Sequence, residues 1–141
     1  MTNLDLSIGV LRMRFLKLKT VLLSLFLIAS GCSPRPKMII GKTAPPTFTM
    51  SGSNQANLFQ VSDDEKVIWK IYPRNKRFQL SEFATIIYGE VPQSCEQVIP
   101  TDGAAPPLVE GKTYQATVVI SDDDALRVSF SIEDGKIIEH R

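Results

Sequence analysis

The chain has 141 residues, with 16 Lys plus Arg against 15 Asp plus Glu and a formal charge of +1. Nothing in that near balance supplies the electrostatic footprint of a nucleic-acid binder. Two cysteines and a single histidine, His140, next to the last residue, offer neither the spacing of a zinc site nor a base held beside a nucleophilic thiol.

In chain order, Met1 to Arg12 carry Asp5 and a mixed polar and apolar pattern. Met13 instead opens a well-proportioned leader, so translation is expected to begin there. Arg12, Arg14, Lys17 and Lys19 form a positive region, Val21 to Ala29 an apolar region, and Ser30-Gly31-Cys32 a small-residue exit. The apolar run is about half the roughly twenty residues that a bilayer-spanning helix needs.

Ala29-Ser30-Gly31-Cys32 resembles the lipobox of bacterial lipoproteins, with Ala29 standing where Leu is commoner. The resemblance implies that the Cys32 thiol receives a diacylglycerol, that the Gly31–Cys32 bond is cut, and that the new amino terminus is acylated. Several acyl chains anchor stably where one binds only reversibly. It also implies that residues 1–31 are a signal peptide, and that the partner they specify is a membrane reached through the N-terminal lipid. Ser33 stands where an Asp retains lipoproteins of Gram-negative bacteria in the inner membrane. Outer-membrane attachment facing the periplasm is therefore the expected location in the cell envelope. Removing Arg12, Arg14, Lys17, Lys19 and Asp5 leaves 12 basic against 14 acidic residues, a mildly acidic mature chain of single-domain size.

Residues 32–46 read as the lipidated Cys followed by a flexible tether, because Pro34, Pro36, Pro45 and Pro46 disfavour helix and strand ladder and favour extended polyproline geometry. From 47 to 141 the period is two. Phe48 and Met50 open it, then Leu58 to Val61, Lys66 to Tyr72 with Val67, Trp69 and Ile71 on one face, and Ala84 to Glu90. Thr113 to Ser121 and Leu126 to Ile132 alternate in the same way. Ser121-Asp122-Asp123-Asp124-Ala125 sits at hairpin distance, and Asp134-Gly135 supplies the positive φ of a two-residue turn. The expected fold is an all-β, antiparallel sandwich of about six to eight strands.

Leu108, Gly111 and Tyr114 have the spacing of the tyrosine corner in fibronectin type III domains, with Glu110 where Pro is usual. The stretch from Phe48 to Glu139 therefore resembles an immunoglobulin-like sandwich of that kind. The resemblance implies Trp69 in the core and Ile86 to Glu90, IIYGE, as a strand C.

Cys95 has no intramolecular partner once Cys32 carries lipid, and either stays buried and reduced or pairs between chains. Asp63-Asp64-Glu65 and Asp122-Asp123-Asp124 are dense carboxylate clusters without the spaced ligands and glycine of a calcium loop. Acid–base work would require one of these carboxyls to be desolvated. No catalytic residue, metal or cofactor is expected. Arg74, Lys76 and Arg77 form a basic turn, and Tyr72, of opposite parity to Trp69, is the exposed aromatic beside it. These four are the candidate partner-binding residues, toward an envelope protein or a glycan. The expected role is a non-catalytic binding or structural module, the alternative a small envelope enzyme or inhibitor-like accessory using the loop carboxylates.

Overall fold

Alternation of apolar and polar residues builds most of the molecule. The structure, a computed structural model, describes residues 35–140 apart from Glu65, Arg77, Asp122 and Asp123. The strands are β1 (Lys37–Ile40), β2 (Thr47–Ser51), β3 (Leu58–Asp63), β4 (Lys66–Pro73), β5 (Thr85–Ile87), β6 (Cys95–Ile99), β7 (Thr113–Ser121), β8 (Asp124–Glu133) and β9 (Lys136–His140). A single helical turn, α1 (Leu80–Phe83), precedes β5.

The strands form two antiparallel sheets, one of three strands in the order β1-β2-β5 and one of six in the order β6-β4-β3-β7-β8-β9. Phe48 and Ile86 project from the smaller sheet, and Phe59, Val61, Trp69, Ile71, Ala116, Val118 and Phe130 from the larger; all are fully buried. Phe48 lies 5.1 Å from the Phe59 ring and 5.8 Å from Phe130, so the two inner faces interdigitate. Phe59 then meets Trp69 edge-on at 5.7 Å, and Trp69 meets Tyr88 at 5.2 Å. Each such aromatic pair contributes about 0.5–1.5 kcal/mol beyond its buried area. The fold is the expected antiparallel β-sandwich, with nine strands among the described residues where about six to eight were expected.

Four strands, β1, β5, β6 and β9, depart from the sequence reading. β1 lies inside the segment expected to be tether: Lys37 pairs with Ser51 and Ile40 with Phe48, while Ile40 itself is buried. Pro36, Pro45 and Pro46 flank this strand without interrupting it, and an edge strand tolerates them there. The sandwich therefore extends in sequence to Lys37, not only to 47. β6 and β9 are the two edges of the larger sheet. Ile86, expected on a strand C, belongs to the smaller sheet and pairs with Phe48.

The turns are set by local chemistry. Glu133 pairs with Lys136 across Asp134 (φ 49°) and Gly135 (φ 70°), the two positive φ values of a two-residue hairpin. The corner at Tyr114 is closed by the Val109 N–H donating to the Tyr114 hydroxyl at 2.7 Å.

Candidate functional site

The β4 strand ends at Pro73 and hands the chain to the basic turn, which is fastened to the start of β6. The Arg74 N–H donates to the Ser94 carbonyl at 2.9 Å, and Arg74 Nε donates to the Cys95 carbonyl at 3.0 Å. Holding the guanidinium by its Nε leaves its outer nitrogens facing solvent, with Nη1 3.9 Å from Glu96 Oε2. Both of those side chains are more than half exposed, so their attraction is weak.

Around this turn lies an open groove of about 440 Å³, lined among others by Asn57, Tyr72, Arg74, Lys76 and Glu96. Lys70 Nζ sits 5.5 Å from the Tyr72 ring centroid, within cation–π range, and Tyr72 is half-buried. The structure thus brings Tyr72, Arg74 and Lys76 to one groove, as the sequence grouped them. Arg77, Gly31 and Cys32 lie outside the described residues. Asn57 and Glu96 were not singled out from sequence, since they come from the β2–β3 loop and from a strand that does not alternate.

Cys95 is buried and free. Burial pushes its thiol up from the usual range, against smaller opposing effects from the Ser94 hydroxyl and Arg74. A buried thiol held in its protonated form is a poor nucleophile.

The carboxylate clusters have ordinary surroundings where they are described. Asp63 accepts from Lys112 Nζ at 2.7 Å, and that contact raises the Lys112 pKa. Asp124 is exposed and pairs with Ser121 at the head of a hairpin, whereas Asp122 and Asp123 lie outside the described residues. Among the described residues no three His, Cys, Asp or Glu side chains converge on one point.

On the outer side of β8 and β9, the Ser131 hydroxyl donates to Glu133 Oε1 at 3.0 Å, and His140 Nε2 pairs with the same hydroxyl at 2.9 Å. Since the serine proton is directed at Glu133, His140 serves as the donor. This order is the reverse of a catalytic triad, in which the imidazole accepts the serine proton and a carboxylate orients the imidazole. Ser131 is also 3% exposed.

A second concavity, of about 470 Å³, lies among Pro45, Pro46, Tyr88, Pro106, Leu108 and Ile132. Its one described side-chain hydrogen bond is from the Tyr88 hydroxyl to the Pro106 carbonyl at 2.7 Å. Burial, with a lesser contribution from Tyr114, pushes the Tyr88 pKa up to about 12. No sequence signal marked this site, because its walls come from loops far apart in the chain.

No protein-family model, curated protein or solved structure matches the chain. Among the described residues no helix is long and apolar enough to cross a membrane.

Proposed function

We propose that the protein is a lipoprotein of the bacterial cell envelope, anchored through Cys32, whose sandwich acts as a non-catalytic binding or structural module. The observation that carries this reading is the sequence Ala29-Ser30-Gly31-Cys32 directly after a positive and then a short apolar region. Cys32 would supply the sulfur for lipid transfer, and Ser30 and Gly31 are small enough to lie extended in a protease cleft. Several acyl chains would hold the mature chain on the membrane without a spanning helix. Ser33 in place of Asp favours the outer membrane, facing the periplasm. The Tyr72–Arg74–Lys76 groove, with exposed cations and a half-buried aromatic, is the surface offered to a partner.

The test is cross-linking of the full-length protein in its native envelope, read by mass spectrometry, with Cys32→Ser as the unlipidated control. The reading expects a reproducible cross-linked partner that is lost with the anchor and weakened by Lys76→Gln. A normally lipidated protein that yields no specific cross-link would rule out the binding role.

A further inference from the structure

The apolar concavity among Pro46, Tyr88, Pro106 and Ile132 lies at the end of the sandwich opposite the basic turn. β4 runs from Lys66, paired with Asp63, to Pro73 beside that turn, and its eight residues span about 26 Å. Asp63 also pairs with Tyr114, and Tyr114 with Phe130, two residues before Ile132. The concavity therefore belongs to the Asp63 end. Its volume of about 470 Å³ falls in the range of roughly 300–1,000 Å³ common to ligand sites. Val109, next to the lining residue Leu108, adds an apolar side chain that is 54% exposed.

Four of the ten lining residues, Pro45, Pro46, Pro106 and Pro107, carry a carbonyl but no N–H. The donors described around them are spent. The Tyr88 N–H donates to the Pro46 carbonyl at 2.9 Å, its hydroxyl to the Pro106 carbonyl at 2.7 Å, and the Val109 N–H to the Tyr114 hydroxyl at 2.7 Å. The Gly111 N–H donates to the Ile132 carbonyl at 2.9 Å, and the Asp134 N–H to Glu110 Oε1. A carbonyl that accepts one hydrogen bond keeps a second lone pair. These groups thus offer apolar rings and acceptors, and an anionic ligand finds no donor among them.

The charge at this end has one sign. At the end with the basic turn, Arg35, Lys37, Arg74, Lys76 and Arg77 are matched by Glu82, Glu96, Asp122, Asp123 and Asp124. The segments that build the concavity and the turns beside it hold Asp63, Asp64, Glu65, Glu90, Asp102, Glu110, Glu133 and Asp134 against only Lys42, Lys66, Lys112 and Lys136. Of those lysines, Lys112 is already committed to Asp63 at 2.7 Å. Glu90 and Glu133 directly follow the lining residues Gly89 and Ile132. We infer that this concavity docks a segment of a partner protein in which lysine or arginine alternates with aliphatic residues. An aliphatic side chain enters among the prolines and Leu108, and the flanking cations meet the surrounding carboxylates. Those carboxylates come from four separate loops, so a chain with spaced cations reaches more of them than a small amine can. The site is distinct from the Tyr72–Arg74–Lys76 groove and does not depend on a lipid at Cys32.

The experiment titrates the full-length protein, labelled with nitrogen-15 in non-ionic detergent, with the peptide acetyl-Lys-Leu-Lys-Leu-Lys-amide and follows the amide chemical shifts. The expected result is saturable shifts at Tyr88 to Glu90, Leu108 to Glu110 and Ile132 to Glu133, with Tyr72 to Lys76 unmoved. Replacing the peptide's leucines by glycine, or its lysines by glutamate, weakens binding by about tenfold or more. Raising the salt to about 0.5 M weakens it by about fivefold, as screening shortens the reach of the carboxylates. Ala105→Leu, which fills the concavity, abolishes the shifts in a fold verified by near-ultraviolet circular dichroism. Glu90→Lys, at a side chain with no hydrogen bond described above, weakens binding by about fivefold. Absence of saturable shifts at these amides, equal binding of the glutamate peptide, shifts centred on Tyr72 to Lys76, or binding that survives Ala105→Leu would overturn the inference. Lysine amide alone binding as tightly as the peptide would make this a site for small organic cations and overturn the docking of a protein segment.

Discussion

The Trp69 indole N–H donates to Gln97 Oε1 at 3.0 Å, and the same glutamine's amide nitrogen donates to the carbonyls of Pro100 and Gly103, each at 2.9 Å. One side chain on the edge strand β6 therefore satisfies the only Trp of the core and pins the loop that follows. Gln97→Leu leaves the buried indole and two carbonyls without these partners. A cost of about 1–3 kcal/mol follows, with a lower urea midpoint and a changed Trp69 emission spectrum. Urea titration followed by fluorescence checks both.

The Tyr88 hydroxyl makes stability fall at high pH. Its pKa is about 12 in the folded chain against 10.0 for an exposed tyrosine, so the folded state holds the proton more tightly. This contribution is complete below about pH 10 and is lost as pH rises from 10 toward 12. It amounts to no more than about 3 kcal/mol. Tyr88→Phe is expected to show a flatter decline in stability between those pH values than the parent, measured by urea unfolding at each pH.

Cys95, 1% exposed, is expected to react with a maleimide on the order of 100-fold more slowly in the folded protein than in denaturant, since its opening requires unfolding of the β4–β6 edge. Mass spectrometry of the alkylated chain measures the ratio. Rapid labelling under native conditions would contradict the packing at the start of β6.

The segment Lys37–Ile40, expected from the sequence to be tether, contributes to stability instead of merely linking. Ile40 is 7% exposed and pairs with Phe48, so Ile40→Ala is expected to cost about 2–4 kcal/mol. The neighbouring Ile39, 61% exposed, is expected to tolerate the same change with little loss. Paired thermal melts of the two variants distinguish a strand from a tether.

The contrast between Tyr114 and Gln97 shows what the sequence made legible. Strands whose inner face is apolar, such as β7 with Tyr114, Ala116, Val118 and Ile120 all buried, follow from alternation alone. β6 does not, because Gln97 turns toward Trp69 while Val98 is 40% exposed; hydrogen bonds, not hydropathy, fix its orientation. β9 hides in the adjacent pair Ile137 and Ile138, of which only the first is buried. α1, a four-residue turn, is too short to show a helical period, although it buries Leu80 and Phe83. The basic groove was legible as a cluster of residue types, but Asn57 and Glu96 reach it only through the pairing of β4 with β6 and the return of the β2–β3 loop.

The central claim is the lipid on Cys32, and the most direct measurement is the mass of the N-terminal peptide from protein isolated out of its native membrane. The account predicts a chain that begins at Cys32 and carries a diacylglyceryl group on its sulfur, with Cys32→Ser leaving the leader uncut. A mature chain that starts elsewhere, or a Cys32 with a free thiol, would contradict it.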